Sequence, residues 1–270
     1  METIASVFRA GGKRIGFVPT MGFLHEGHLS LIRRAKENND VVVCSIFVNP
    51  TQFNNAEDFE LYPRNETADF ALLESVKCDI VFAPENDFVN EIMNVNIDLK
   101  GIDNLLEGKF RPGHFKGVVN IVSLLFEKVK PNKAYFGQKD FQQLAIVKEL
   151  AKQKFPEIEI VACATLREQD GLAMSSRNAR LSEEQKQLSL NISAALRFIE
   201  EKSIQEKEVN TLKKLAIEKF FNSGLDLEYL EVIDSETLQT IDVISHKTVV
   251  VCVAAFAGKV RLIDNIIINY

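Results

Sequence analysis

The 270-residue chain has no tryptophan, 4 cysteines, no surplus of positive charge and no long apolar run. Each shortage removes a class of protein. Cys44, Cys78, Cys163 and Cys252 stand 34, 85 and 89 positions apart, so the sequence carries neither a CxxC redox pair nor the close ligand pairs of a structural zinc site. Each lies in or beside an apolar run such as VVVCSIFV or VVVCVAAF and reads as a reduced thiol filling core volume. The longest apolar stretch, Val249 to Ala257, falls far short of the ~18 residues that propose a membrane helix. The opening METIASVFRAGGKR lacks a basic start, an apolar stretch and a small-residue cleavage site, so no secretory signal is read and a cytoplasmic location is expected. Lys and Arg number 32 against 38 Asp and Glu, for a net charge of −6. The deficit is shared, 20 against 23 over residues 1–168 and 12 against 15 over 169–270. Neither part is a basic module, which argues against a long nucleic acid as partner and leaves room for a small anion in a local positive pocket.

What is present is a chain with 46% hydrophobic residues, enough for one large core or two smaller ones. Over the first 165 residues, short β-branched runs alternate with amphipathic stretches. The runs are Ile15–Val18, Val41–Val48, Asp79–Phe82, Lys133–Phe136 and Ile158–Cys163, and the intervening HLSLIRRAKENN, TADFALLESV, GVVNIVSLLFEKVK and DFQQLAIVKELAKQ repeat apolar residues every three or four positions. This predicts an α/β fold, a Rossmann-like, doubly wound parallel sheet, with ligands outside the carboxyl ends of the strands. The rhythm breaks in TLREQDGLAMSSRNARL. Ser182 and Gln185 then form a capping box opening a helix to about Glu200. A second helix is expected over Glu206–Asn222, followed by strands in LEYLEVID, TVVVCVAAF and VRLIDNIII. The expected division is residues 1–168 as the ligand-binding domain and 169–270 as a smaller α+β C-terminal domain.

The first strand runs into Thr20-Met21-Gly22-Phe23-Leu24-His25-Glu26-Gly27-His28 at the start of a helix. Gly22 and Gly27 permit close backbone approach, and the first helical N–H groups and the helix dipole favour an anion there. His25 and His28, three apart, project to one side. Their imidazoles hydrogen-bond phosphate and, with a reference pKa of ~6.5, protonate readily beside an anion. The alternative is two structural histidines capping a turn. A second candidate is Met174-Ser175-Ser176-Arg177, whose hydroxyls and guanidinium suit pyrophosphate oxygens, although such a tetrapeptide is also common on surfaces.

An HxGH turn after the first strand together with an M-S-S-R loop after the last resembles the nucleotide signatures of the class I nucleotidyltransferase superfamily. PTMGFLHEGH, FVNPTQF, YPR, RPGHFKGV, YFGQKDFQQL and DGLAMSSRN, in that order, resemble the pantothenate synthetase family, the pantoate–β-alanine ligases, from Ile15 through Leu181. The resemblance implies attack of the pantoate carboxylate on ATP to give pantoyl adenylate, then of the β-alanine amine to give pantothenate and AMP. It implies ATP contacts from Met21, Gly22, Phe23, Leu24, His25, Glu26, Gly27 and His28, from Gly137, Gln138, Lys139 and Asp140, from the Leu166 backbone, and from Met174 to Arg177. His28 takes the family's proton-donor role, with His25 and Lys139 beside it. Gln52 and Gln143 match the pantoate-binding glutamines, and Gln52 also the β-alanine contact.

Mg²⁺ is expected to travel with ATP, its protein ligands unassigned, and a homodimer is implied. Asp140 has an alternative role as a helix cap, Gln142 is the weaker neighbour of Gln143, and Arg111 and His114 order the site wall or serve packing. Tyr62-Pro63-Arg64 and Asp69 are candidates for a dimer wall or the magnesium shell and are not placed in the site, and His246 reads as a surface or packing residue. Gln138 stands where the family commonly has Glu and Asn120 where it has Thr. Only 18 residues precede Pro19, which leaves the N-terminal edge of the sheet in doubt. The competing reading is a nucleotidyltransferase of the same superfamily acting on another small substrate.

Overall fold

The computed structural model describes all residues except Ser223, His246 and Lys247, so the reading of His246 lies outside the described residues. The chain divides into two compact units, Met1–Leu166 and Arg167–Tyr270.

The first unit opens with helix α1 (Glu2–Ala10) and strand β1 (Ile15–Thr20), then α2 (Glu26–Asn38), β2 (Val41–Ile46), α3 (Ala56–Glu60), α4 (Glu66–Ser75) and β3 (Ile80–Phe82). It continues with α5 (Leu106–Phe110), α6 (His114–Val129), β4 (Lys133–Gly137), α7 (Phe141–Lys154) and β5 (Glu159–Cys163). The five strands are all parallel, in the order β3-β2-β1-β4-β5. The first strand is therefore central, and the residues before it form a helix whose Ala5 is fully buried. The doubt about the N-terminal edge is resolved by this topology, in which β3 and β5 are the edges.

Alternation along the strands sorts their side chains between two cores. Ile15, Phe17, Val43, Ala134 and Phe136 pack with α6 and α7 on one face. Val18, Val42, Cys44, Ile46 and Tyr135 pack with α2 and Leu73 of α4 on the other. With both faces covered, β2 is buried along its whole length, which is why it reads as a continuous apolar run. Burying a side chain such as Phe17 in this way is worth about 1.5–3 kcal/mol.

The second unit begins with an irregular segment ending in a 3₁₀ turn at Ser176–Arg180. Helix α8 (Glu183–Lys202) follows, its start fixed by the reciprocal Ser182–Gln185 capping box. Helix α9 (Val209–Phe220) precedes an antiparallel sheet of β6 (Leu225–Asp234), β7 (Val249–Ala257) and β8 (Val260–Ile268). Alternate residues of β7, Val249, Val251, Val253, Ala255 and Ala257, share a core with Ile192, Leu196 and Ile199 of α8 and Leu212 and Ala216 of α9. The four cysteines are free. Cys44, Cys163 and Cys252 sit on strands, and burial pushes the Cys44 thiol well above its usual range.

Candidate functional site

Strands β2 and β4 flank β1 on opposite sides, so the chain reverses its direction of winding at β1. Ligands of open α/β sheets bind beyond the carboxyl ends of the strands at such a switch point. The segment 20–28, the 3₁₀ turn Pro50–Gln52 and the 3₁₀ turn Gln138–Asp140 all follow carboxyl ends of strands in this unit.

The 20–28 turn is closed by hydrogen bonds from side chains. Thr20 Oγ1 donates to Ser45 O at 2.6 Å and accepts from Gly22 N at 3.2 Å. Phe23 N and Leu24 N donate to Asp69 Oδ2 and Oδ1 at 2.8 and 2.6 Å. His25 is the N-cap of α2 and its Nδ1 accepts from Gly27 N at 3.1 Å, while His28 Nδ1 accepts from His25 N at 3.3 Å. The two rings lie 4.0 Å apart between centroids, tilted by 36°. The histidines are thus a helix cap, as the structural alternative proposed, yet the cap uses one nitrogen of each ring. A neutral imidazole accepting at Nδ1 carries its hydrogen on Nε2, so in each ring the cap engages Nδ1 and leaves Nε2 outside it.

One expectation is corrected here. The amides of Gly22, Phe23, Leu24, His25, Gly27 and His28 are all committed within the protein, so these six do not form a row of open backbone N–H groups. His28 also differs from an ordinary exposed histidine. Burial, then His25 and then Lys139, hold its pKa well below the ordinary histidine value. It is a neutral donor, and the electrostatic effect of Lys139 ties the third motif to the first.

The neighbouring residues divide between site and scaffold. Leu24 is 7% exposed and belongs to the core beneath the turn, while Glu26 is exposed and pairs with Arg33. Gln52 joins two motifs: its Nε2 lies 2.7 Å from Met21 Sδ, and its Oε1 accepts from Asn49 Nδ2 at 3.3 Å. An amide has two N–H donors and two carbonyl lone pairs, so one of each remains by count. Asn49 also shapes the turn, accepting from Thr51 N at 3.2 Å and donating to Gly117 O at 3.3 Å.

His114 holds the other side of Gln52. Its Nε2 faces Arg111 Nη1 at 3.2 Å, an N–H donor, so Nδ1 carries the hydrogen and donates to Gln52 O at 2.7 Å. Burial first, and Arg111 second, depress the His114 pKa to about 4. His114 therefore orders the site wall through the Gln52 carbonyl.

Of the paired glutamines on α7, Gln142 is 3% exposed and donates to Ile102 O and Leu105 O at 2.6 and 2.7 Å, a packing role. Gln143 is partly exposed. Asp140 occupies the N-cap position of α7 without a side-chain capping bond, which removes the capping alternative; it lies 3.9 Å from Lys139 Nζ. Asn120 accepts from Val95 N at 2.9 Å and acts in packing.

Leu166, 37% exposed, ends the first unit, and Met174–Arg177 belong to the second. There Ser175 Oγ accepts from Arg177 N at 3.3 Å, and Ser176 is buried. The loop is fastened by Arg167, whose guanidinium grips Asp264 of β8 at 2.6 and 3.0 Å and donates to Gly171 O at 3.1 Å. Asn178 adds bonds to Glu168 and to Ala173 O at 2.8 and 3.0 Å.

Sequence reasoning gave Asn49 no role and kept Asp69 out of the site. Asn49 is visible as the residue before Pro50 in FVNPTQF. Asp69 lies five positions after the Tyr62-Pro63-Arg64 segment, in the first turn of a helix.

Comparison with known proteins bears on this arrangement directly. The family model described as pantoate-beta-alanine ligase matches residues 1–267. The pantothenate synthetase of Bacteroides fragilis is 48% identical over 268 residues, covering 98% of this chain and 95% of that one. The crystal structure of pantothenate synthetase from Thermus thermophilus superimposes with a TM-score of 0.88 at 37% identity, covering 97% of this chain and 96% of that one. The pantoate-beta-alanine ligase of Francisella tularensis, solved as a complex with beta-gamma ATP and beta-alanine, gives a TM-score of 0.79 at 37% identity, with 97% and 93% covered. With its HxGH turn at the switch point of a doubly wound sheet and a family match along almost its full length, the chain belongs to the pantoate–β-alanine ligase family.

Proposed function

We propose that the protein condenses (R)-pantoate with β-alanine at the expense of ATP. In the first step a pantoate carboxylate oxygen attacks the α-phosphorus, the bond to the β-phosphate breaks, and pyrophosphate leaves. The β-alanine amine then attacks the acyl carbon of pantoyl adenylate, the acyl C–O bond breaks, and AMP and pantothenate are released. Two anions react in the first step and neither is a strong partner, so the protein's work is to align them and to offset charge on the phosphates. The observation that carries this reading is the reciprocal histidine cap, which holds two imidazoles side by side through their Nδ1 atoms beyond the carboxyl end of the central strand.

In this reading His28 donates from Nε2 to the phosphate oxygens, assisted by His25 and by the point charge of Lys139. Met21 to His28, Gly137 to Asp140, the Leu166 backbone and Met174 to Arg177 contact ATP. Gln52 and Gln143 bind pantoate through the mixed donor and acceptor character of their amides, and Gln52 also meets β-alanine. Among the described residues no group of three or more His, Cys, Asp or Glu side chains is placed to hold a metal ion. That donor set fits a Mg²⁺ carried on the triphosphate and its waters, with Asp140 the acidic neighbour of Lys139 available to a water of its shell. Bound there, the ion would offset phosphate charge. Residues 1–168 serve as the ATP- and pantoate-binding domain and 169–270 as a lid, in a cytoplasmic homodimer, a reading supported by the family resemblance and checked by sedimentation of the purified chain.

The test is a product assay with Mg-ATP, pantoate and β-alanine. Equal amounts of AMP and pantothenate, dependent on both substrates, are expected. A product that retains the nucleotide, or no AMP from folded protein, overturns the proposal.

A further inference from the structure

The carboxylate beneath the histidine turn comes from a distant helix. Asp69 lies 46 positions after Phe23, is 2% exposed, and bonds two consecutive amides, Phe23 N at 2.8 Å and Leu24 N at 2.6 Å. We propose that Asp69 is a positioning residue for the phosphate chemistry, fixing the orientation of the His25 and His28 rings by clamping the turn that carries them. The inference rests on the ligase reading given above; the clamp itself is independent of any ligand.

The turn cannot hold its shape unaided. Gly22 and Phe23 both have positive φ, 78° and 49°, and for Phe23 that left-handed conformation is disfavoured by its own Cβ. Left-handed residues in a turn gather successive N–H groups into a concavity that attracts an anion. Here the anion is the protein's own. Its two oxygens match the two amides, and a Cβ on Gly22 would lie 3.0 Å from Asp69 Oδ2, so the carboxylate sits against the backbone with no room between. The next residue is His25, whose amide binds His28 Nδ1. Rotation of the 23–24 peptides therefore swings both rings together.

Helix α4 is organised around this contact. Its buried residues are Asp69 and Leu73, and its start is capped by Asn65 Oδ1, which accepts from Ala68 N at 3.1 Å. Leu73 anchors the helix to the same core that holds Leu24, Leu29 and Ile32. One turn away, Asp69 is directed at the site.

The experiment compares wild type, Asp69→Asn and Leu73→Ala by three readouts: amide exchange at Phe23 and Leu24, the ¹⁵N tautomer signature of the histidines, and steady-state kinetics. Asparagine preserves the shape but offers one acceptor oxygen to two donors. The expected result is slow exchange at both amides in ligand-free wild type and its loss in Asp69→Asn. His25 and His28 should then become tautomer mixtures, and kcat should fall by roughly 10²-fold with the pantoate KM within about threefold. Leu73→Ala, which opens a cavity in the same helix, should lower thermal stability yet keep amide protection, tautomers and kcat. Fast exchange at Phe23 and Leu24 in wild type overturns the proposal without any variant. Equal loss of kcat in the two variants also overturns it, since that is the signature of a merely structural role. Wild type that forms no AMP while Asp69→Asn still frees the amides and the tautomers upholds the clamp and rejects the ligase reading instead.

Discussion

A histidine that caps a helix with Nδ1 has one nitrogen left to act, and this governs what substitutions at the site should do. His28→Ala removes an Nε2–H donor and the acceptor for His25 N; kcat is expected to fall by roughly 10²–10³ in a steady-state AMP assay. Because burial keeps His28 neutral, kcat/KM for ATP should show no gain from its protonation as the pH drops from about 8 to about 6; a rise that His28→Gln abolishes would contradict the neutral-donor role. His114 makes a separate prediction. Its folded pKa, depressed to about 4 by burial and Arg111, lies below the ordinary histidine value of 6.5, so the unfolded chain binds more protons between those values and stability falls as pH drops through that window. The loss is on the order of 3 kcal/mol. His114→Asn, which keeps a donor for the Gln52 carbonyl, should flatten this part of the curve in denaturant midpoints measured across that range. At this scale the histidine pair was legible in the sequence as a helix-capping turn after the first strand. The partners of the scaffolding were not legible, because Asp69 and His114 reach theirs across 45 and 62 positions, beyond any local pattern.

Helices and strands were legible where their periodicity ran long enough to be read. Strands such as β1, β2, β7 and β8 follow β-branched or apolar runs, and α2, α6, α7 and α8 repeat apolar residues over 13 to 20 positions. Helices α3 and α5 have five residues each, too few for a periodic face to show in the sequence. One element-level contact was equally invisible. Helix α6 packs so closely on the Pro50–Gln52 turn that a Cβ on Gly117 would lie 2.7 Å from the Thr51 carbonyl carbon and 2.8 Å from Gln52 Cα. These are backbone atoms and cannot swing aside. Gly117→Ala would gain about 1 kcal/mol of helix propensity on a free surface; here it should destabilise the protein and raise the pantoate KM by displacing Gln52. A melt combined with pantoate titration checks both effects, and a stabilised variant with unchanged KM would show that the turn yields.

Across the whole chain, the acidic surplus leaves cations such as Lys139 and Arg177 as local features, and the two units keep separate cores, residues 5–158 contributing to one set and 192–268 to the other. The second unit depends on one buried ion pair to fix its nucleotide-signature loop. Asp264 is 3% exposed, and its two oxygens meet the Arg167 fork. The pair joins the loop to β8, with Arg167 also pairing in a bridge with Ala173, one residue before Met174. Breaking such a pair from one side leaves an uncompensated buried charge, at a cost of about 3–5 kcal/mol, whereas replacing both partners with apolar residues is often close to neutral. Arg167→Met should therefore raise amide exchange along β8 and the 168–178 loop while β1 and β2, in the other unit's core, stay protected. Adding Asp264→Leu should restore protection to β8, since the stranded carboxylate is gone. The loop should stay loose, because its guanidinium anchor at Gly171 O is still missing. Recovery of strand without loop would show that the ion pair serves the loop's position more than the stability of the unit; recovery of both, or of neither, would count against it.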